Sequence, residues 1–442
     1  MKKRVIVIVI VALLLLVASV CLIKTYFNNV SDGSYQRHIE AVKSMNQTST
    51  AENDTNYSGL VSGIRTSVYR KDGSLGGREY ECTDNGVYFL TLGFSAEYSG
   101  YGYDIGTTYL FFADHDSNQM IKLCGRPDCT HDTTECNSSL LHGHHGICYY
   151  DGYLYYAESG DIASDIVSLW RVNPDGSDRI KVLDCAGLNN GEYSGFYGPY
   201  IQNGVFMIGL VLMDDITGDA LPDWYYCRLD DLELKETDVG SCWNDGEAFL
   251  HGSAVWAAEN VIESWSLVKW DPATDTETVL ATLSGREDMT AMINSGYWGE
   301  KNGLCHVDGK ILKVNYPNCD TEVLFETGIT KSSTVKYYPD CITIYERGNF
   351  MEGINGVLHF FDYQGNNLGQ VEVDIPVNTD MLPIVGESRD RIYIRGNQDY
   401  QLPSHYVDKA EFGTGEIVLH ELEYPDLTPE ERNQLFSVEV SE

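Results

Sequence analysis

Positive charge is scarce in this chain of 442 residues. Lysine and arginine supply 30 residues against 66 aspartates and glutamates, and the formal net charge is −36. Lys2, Lys3, Arg4 and Lys24 lie at the N-terminus, so the rest of the chain is more acidic still. A field of this sign repels phosphate backbones, which argues against nucleic acid as a partner. Divalent cations, basic proteins and neutral glycans remain compatible with it.

The common signatures of catalysis are also missing. The sequence contains no G-x-S-x-G nucleophile elbow, no H-E-x-x-H zinc helix and no phosphate-binding P-loop. Glycines at positions 100, 102 and 106 have neither the spacing of a dinucleotide-binding fingerprint nor a βαβ setting. The sequence therefore assigns no catalytic and no cofactor-binding residue.

One apolar run at the N-terminus is long enough to cross a bilayer. Residues 5–23 carry no charge and follow the basic cluster Lys2-Lys3-Arg4. At about 1.5 Å per residue the run crosses a hydrocarbon core of about 30 Å, and the basic cluster is expected to stay in the cytoplasm. We predict a cytoplasmic n-region at 1–4, a single-pass transmembrane helix acting as a signal anchor at 5–23, and an extracytoplasmic remainder attached to the cell membrane.

Two other fates of this run are compatible with the sequence. Cys21 could be acylated as in a lipoprotein, although Val20 stands where a small residue is expected before the lipid-bearing cysteine. Cleavage by a signal peptidase is the second alternative, although Ala18-Ser19-Val20 is a poor cleavage site. All three fates predict export.

Three segments follow the predicted anchor. Residues 24–74 are polar and rich in Ser, Thr, Asn and Asp, which predicts a stalk. Residues 75–425 contain a repeat. Residues 426–442 are predicted to form a C-terminal helix and tail, because Thr428 is a suitable N-cap and Pro429 suits the first helical position.

Two strand patterns alternate through residues 75–425. The first is a turn, often Asn-Gly or Asp-Gly, followed by a short aromatic or β-branched strand, and its copies begin near residues 85, 151, 203, 252, 302, 340 and 390. The second is a strand that ends in Asp or Asn, at Asp114, Asn173, Asp230, Asp271, Asn315, Asp362 and Asp408. Successive ends lie 41 to 59 residues apart, close to the roughly 40–50 residues of a four-stranded blade. The pattern predicts an all-β fold, a β-propeller of about seven blades, with six or eight as alternatives.

The best-formed copy reads YDGYLYY at 150–156 and LWRVNPDGS at 169–177. In these residues the chain resembles the prolow-density-lipoprotein-receptor-like and TolB-like β-propellers, and in particular exported bacterial propellers of the Firmicutes type. The resemblance implies a propeller fold, usually of six blades in that family, and no known activity.

Cysteines and histidines concentrate in an insertion at 124–148, between the first two predicted blades. Cys124, Cys129, His131 and Cys136 offer three thiolates and an imidazole, the ligand set of a tetrahedral structural zinc site. The segment has almost no apolar residues, so it needs a cross-link to fold. Because disulfides persist outside the cytoplasm, pairing among Cys124, Cys129, Cys136 and Cys148 is an equal alternative, and free thiols are a third. The run also resembles Cys, Pro, Cys, His, Cys insertions in exported propellers of gut Firmicutes.

The remaining cysteines and the tyrosines are predicted to serve packing first. Cys82, Cys185, Cys227, Cys242, Cys305, Cys319 and Cys341 are spread over the blades and suit small buried positions. The chain has 30 tyrosines, and those at 98, 101, 103, 193, 197 and 200 could also offer a platform for a sugar or a peptide.

These features favour a noncatalytic module, anchored in the membrane, that binds an extracellular protein or glycan or serves as a scaffold. The alternative is a cell-surface carbohydrate-active or other propeller enzyme. In such an enzyme carboxylates from different blades would meet only at the central channel, where a sequence motif does not reveal them.

Overall fold

A computed structural model of the chain describes residues 80–429, with gaps at 84–85, 92–107, 130, 132–135, 141–145, 160–166, 186–192, 213–222, 238, 240–242, 245–247, 259–260, 331–332, 349–353, 374–383 and 396–401. The predicted anchor at 5–23, the stalk at 24–74 and the C-terminal helix beyond residue 429 lie outside the described residues. Among the residues that are described, no helix has the length and apolar character to cross a bilayer.

The described strands form seven antiparallel sheets, each built from strands that follow one another in the chain. Blade 1 contains β1 (Tyr80–Thr83), β2 (Gly86–Thr91), β3 (Thr108–Asp114), β4 (Met120–Lys122) and β5 (Ser139–Leu140); blade 2 contains β6 (Ile147–Tyr150), β7 (Tyr153–Ser159), β8 (Val167–Val172) and β9 (Ile180–Asp184); blade 3 contains β10 (Tyr193–Gln202), β11 (Val205–Leu212), β12 (Asp223–Arg228) and β13 (Lys235–Thr237).

The other four sheets have the same strand order. Blade 4 contains β14 (Trp243–Asn244), β15 (Phe249–Ala258), β16 (Val261–Asp271) and β17 (Thr276–Ser284); blade 5 contains β18 (Tyr297–Trp298), β19 (Asn302–Val307), β20 (Lys310–Asn315) and β21 (Asp320–Glu326); blade 6 contains β22 (Ser333–Tyr337), β23 (Ile342–Glu346), β24 (Gly356–Phe361) and β25 (Asn367–Val373); blade 7 contains β26 (Ile384–Glu387), β27 (Arg391–Arg395), β28 (Pro403–Asp408) and β29 (His420–Glu421). A short helix, α1 (Met289–Ser295), joins blades 4 and 5.

The first strands of the sheets surround the centre of a ring. β1 contacts β6 of blade 2 and β26 of blade 7, and β6 contacts β10 of blade 3. The prediction of an all-β propeller is confirmed, with seven blades. The two sequence patterns correspond to the second and third strand of each blade, but the turn predicted at Gly252-Ser253 is wrong, because both residues lie inside β15.

Turn chemistry sets these strand boundaries. Asp151 and Gly152 between β6 and β7 have φ of 47° and 82°, and Asn203 and Gly204 between β10 and β11 have φ of 49° and 76°. Two successive residues with positive φ form the tight turn whose twist matches a β-hairpin, and Asn-Gly and Asp-Gly favour it.

The acidic ends of the third strands also have a local cause. The carboxylate of Asp114 accepts a hydrogen bond from the backbone N–H of Asp116 at 2.7 Å. Asp271 accepts one from Ala273 at 2.9 Å in the same way, and the motif recurs at Asp362 and Asp408. A side chain that bonds the amide two residues ahead stabilises a turn. The residues after Asp114 therefore form the hairpin between β3 and β4 of blade 1.

Aromatic side chains fill the seams between blades. Phe89 of blade 1 meets Tyr393 of blade 7 edge to face, with ring centroids 5.3 Å apart. Tyr226 of blade 3 meets Trp270 of blade 4 at 5.0 Å. Such pairs add about 0.5–1.5 kcal/mol each to the free energy gained by burial, so the abundant tyrosines stabilise the ring.

The scattered cysteines are packing residues where the structure describes them. Their thiols lie in the hydrophobic interior at Cys185, Cys227, Cys305, Cys319 and Cys341. Cys82 is partly buried, and Cys242 lies outside the described residues.

The chain's C-terminal part crosses the seam where the ring closes. Residues 422–427, here termed the closing segment, follow β29 of blade 7 and run beside blade 1. The backbone N–H of Met120 in β4 donates to the Glu423 carbonyl at 2.8 Å, and the N–H of Glu423 donates to the Asn118 carbonyl at 2.8 Å. Leu422 and Tyr424 are buried in a hydrophobic cluster that residues of blades 1 and 7 share. This segment therefore links the last blade to the outer edge of the first.

Candidate metal centre

The outermost strand of blade 1 is split into two halves. β4 pairs with β3 at one end, and β5 pairs with β3 at the other. Between them, residues 123–138 leave the sheet and return to it at a single residue: Leu123 N–H donates to the Leu110 carbonyl, and Leu110 N–H donates to the Ser138 carbonyl, both at 2.8 Å. This excursion, here termed the metal loop, contains all four predicted ligands.

The metal loop brings these four side chains together. One ligand atom from each of Cys124, Cys129, His131 and Cys136 lies within 4.8 Å of the others. His131 Nδ1 is 3.4 Å from Cys136 Sγ. In a tetrahedral zinc site with bonds of about 2.3 Å to sulfur and about 2.0 Å to nitrogen, neighbouring ligand atoms are about 3.5–3.8 Å apart. The set is therefore close to the spacing that a single ion requires.

Each thiol in the set receives a backbone hydrogen bond from the residue two positions ahead. The amide of Arg126 donates to Cys124, that of His131 to Cys129, and that of Ser138 to Cys136. Backbone donors favour the thiolate form, which is the form that binds metal. His131 has a φ of 61°, so a strained turn directs its ring towards Cys136.

Cys136 is the electrostatic centre of the set. A hydrogen bond from the Cys124 thiol, opposed by burial and supplemented by His131 and Ser138, lowers the pKa of Cys136 to about 3. The same bond raises the pKa of Cys124, and burial raises the pKa of Cys129. The hydrogen bond with Cys136 raises the pKa of His131. Metal binding must therefore displace the protons of the Cys124 and Cys129 thiols.

The surroundings of the set contain features that the sequence did not reveal. Ser138 Oγ is buried 2.9 Å from Cys136 Sγ and can donate to it. A Cβ on Gly125 would lie 2.5 Å from the Ser177 nitrogen in the β8–β9 hairpin, so only glycine permits this approach to blade 2. No local motif distinguishes Ser138, and the approach of Gly125 to Ser177 joins residues that are far apart in the chain.

The other cysteine and histidines of the insertion have different positions. Cys148 lies buried in β6, where its thiol donates to the Pro199 carbonyl at 3.0 Å. It does not join the four ligands. His142, His144 and His145 lie outside the described residues. Cys124, Cys129 and Cys136 are not bridged by disulfides in this arrangement.

A second cluster of charged side chains lies between blades 6 and 7, and its composition is not that of a metal site. Lys409 Nζ lies 2.9 Å from both carboxylate oxygens of Asp340 and also contacts Glu387. Burial raises the pKa of the Glu387 carboxyl to about 7, against the opposing effect of Lys409. Burial alone would lower the pKa of Lys409, but the attraction of Glu387 raises it above its usual value. The cluster is an ion-paired link between two blades.

No protein-family model and no curated protein matches the chain. Solved structures do match it. A 6-phosphogluconolactonase-like protein from Bacteroides uniformis is 11% identical with a TM-score of 0.33, over 77% of this chain and 98% of that one. A protein from Lactobacillus plantarum is 10% identical with a TM-score of 0.37, over 76% and 96%.

A third similar structure is Pyrococcus horikoshii acylaminoacyl peptidase, which is 10% identical with a TM-score of 0.43, over 77% of this chain and 51% of the peptidase. The likeness is one of fold. The match covers about half of the peptidase. These similar structures include enzymes, but a shared fold transfers no activity to this chain.

Proposed function

We propose that the chain is a noncatalytic, extracytoplasmic β-propeller that binds a protein or glycan or serves as a scaffold. We propose further that Cys124, Cys129, His131 and Cys136 hold one structural zinc ion within it. The observation that carries this proposal is the convergence of the four ligand atoms within 4.8 Å.

The composition of the ligand set supports zinc in a structural role. Thiolate and imidazole ligands suit Zn²⁺ better than Mg²⁺ or Ca²⁺, which prefer oxygen. Four protein ligands complete a tetrahedral site and leave no position for a reacting water, whereas catalytic zinc sites keep one position open. The set also lies in the loop that interrupts the outermost strand of blade 1, away from the first strands that surround the ring's centre.

The proposed extracytoplasmic location rests on the N-terminal sequence. The apolar run at 5–23 and the basic residues before it support a membrane tether with the propeller outside the cytoplasm. In that setting a closed metal site stabilises a loop that has little apolar surface of its own.

Zinc analysis combined with thiol counting tests the metal assignment. The full chain, purified in mild detergent without a reducing agent, is expected to contain about one zinc ion per chain. Cys124, Cys129 and Cys136 should react with a thiol reagent only after chelation. The variant Cys82→Ser, which changes a cysteine outside the set, should retain the zinc. Disulfides among the three cysteines, or free thiols without metal, would contradict the assignment.

The noncatalytic role predicts binding without turnover. On a glycan array, or with candidate extracellular proteins, the full chain is expected to bind saturably and to leave the bound molecule chemically unchanged. Product analysis by mass spectrometry checks this. Hydrolysis or cleavage of a polysaccharide would favour the enzyme instead, and a pair of carboxylates about 5–9.5 Å apart would then be sought in the channel.

A further inference from the structure

The metal loop borders the closing segment. The loop begins directly after β4, the strand that the closing segment pairs with through Met120 and Glu423. Two residues further on, the N–H of Lys122 donates to Asp426 Oδ2 at 3.0 Å. Lys122 is the last residue of β4, so the strand that holds the closing segment ends two residues before the first ligand, Cys124.

The same loop also borders blade 2. Asn137, next to Cys136, donates from its side-chain nitrogen to the Gly176 carbonyl at 2.8 Å. Gly125, next to Cys124, packs its backbone against Ser177 of the same hairpin. Beyond the loop, Arg179 of blade 2 donates to the Ser139 carbonyl of β5 at 3.0 Å. Two neighbours of metal ligands therefore contribute contacts to the seam between blades 1 and 2.

We infer that the zinc-loaded metal loop is a clasp that couples metal binding to closure of the propeller ring. Residues beside the ligands Cys124 and Cys136 contact the closing segment on one side and the β8–β9 hairpin of blade 2 on the other. This inference rests on the proposed zinc site. It assigns the ion an effect on residues 422–427, which are about 300 positions away in the sequence.

The physical cause is that the ligands fix the residues beside them. Both ends of the loop are fixed at Leu110, and between them the described residues form no strand. Without metal, the thiols and the imidazole no longer share a partner, and Gly125 and Asn137 lose the fixed geometry that their contacts require. Lys122, which β4 holds beside Phe111, then contacts Asp426 at the edge of a loosened loop. Linkage is reciprocal, so a docked closing segment must also strengthen metal binding by the same factor, typically about 5–150-fold.

Hydrogen exchange of the full chain in detergent, with zinc and after chelation, tests the clasp. Chelation is expected to speed exchange at the amides of Met120 and Glu423 at least about tenfold. Amides of the β20–β21 hairpin in blade 5 should not change. An increase confined to residues 123–138 would overturn the clasp and leave the zinc site standing. A chain that binds no zinc would overturn both proposals.

The reciprocal experiment weakens the closing segment and measures zinc affinity. Leu422→Ala removes a buried side chain from this segment, and Leu283→Ala removes one of equal size and burial from β17 in blade 4. Leu422→Ala is expected to lower the affinity for Zn²⁺ about 5-fold or more, whereas Leu283→Ala should leave it unchanged. Equal affinities in the two variants would overturn the coupling, and if Leu422→Ala fails to fold, the exchange experiment alone decides.

Discussion

Replacing Cys136 with serine is expected to lower the affinity for Zn²⁺ by about 10²–10³-fold. Structural zinc sites in small domains bind with about 10–16 kcal/mol at pH 7, so an equal share for one ligand of four is roughly 2.5–4 kcal/mol. Cys136 is the ligand chosen for replacement because its side chain contacts two other ligands, Cys124 and His131, and also the Ser138 hydroxyl. Competition with a chromophoric chelator measures the change.

A pair of neighbouring serines provides the matched control. Ser138 lies against the Cys136 sulfur, whereas the buried Ser139 hydroxyl makes no hydrogen bond to the residues that the structure describes. Ser138→Ala should lower zinc affinity about 10–100-fold, the usual effect of losing a group that supports a ligand. Ser139→Ala should bind zinc like the parent chain. Cys136→Ser with unchanged affinity would show that the ion is held elsewhere.

Replacing Lys409 with methionine is expected to lower the free energy of unfolding by about 3–5 kcal/mol at pH 8, because the buried Glu387 carboxylate then lacks its cation. Lys409 is almost wholly buried against Asp340 and Glu387. Urea unfolding of the full chain measures the loss. The control Lys310→Met removes an exposed ion pair with Glu326 and should cost less than about 1 kcal/mol.

The effect of Lys409→Met should depend on pH in a defined direction. The pKa of Glu387 is raised in the folded chain to about 7, so proton binding favours the folded state, and its contribution to stability falls as the pH rises through 7. Without Lys409 this pKa rises further. The difference between variant and parent should therefore shrink as the pH is lowered from 8 to 5.5. Adding Glu387→Gln should recover most of the loss at pH 8, and full additivity of the two changes would contradict the ion pair.

The second and third strands of each blade were predictable because their signals are local. Alternating apolar residues, a turn with positive φ such as Asp151-Gly152, and a strand-ending acid such as Asp271 each lie within a few residues of what they determine. The fourth and the first strands of the blades gave weaker signals in the sequence. β17 and β21 are mostly exposed, and the first strands β14 and β18 have two residues each, too few for a period to be recognised.

The four ligands could be proposed from their residue types and their clustering in one segment, although their spacing matches no standard zinc finger, but their surroundings could not. The contact of Lys122 with Asp426 joins residues 304 positions apart, and that of Lys409 with Asp340 spans 69 positions. Closure of the ring sets the first pair and the packing of blade 6 against blade 7 sets the second, and no short stretch of sequence encodes either. Cys148 shows the converse, because its nearness in sequence suggested a disulfide with these cysteines, whereas it lies buried in β6 with its thiol against the Pro199 carbonyl.

Because every described sheet is built from consecutive strands, each blade can assemble as soon as its own residues leave the ribosome. Blade 1 is the exception. It precedes the other six described blades in the sequence, yet its outer edge is covered by residues 422–427, which follow the last strand of blade 7. The order of translation therefore leaves that edge, and the cysteines beside it, open until blade 7 has been made, so the ring cannot close before then.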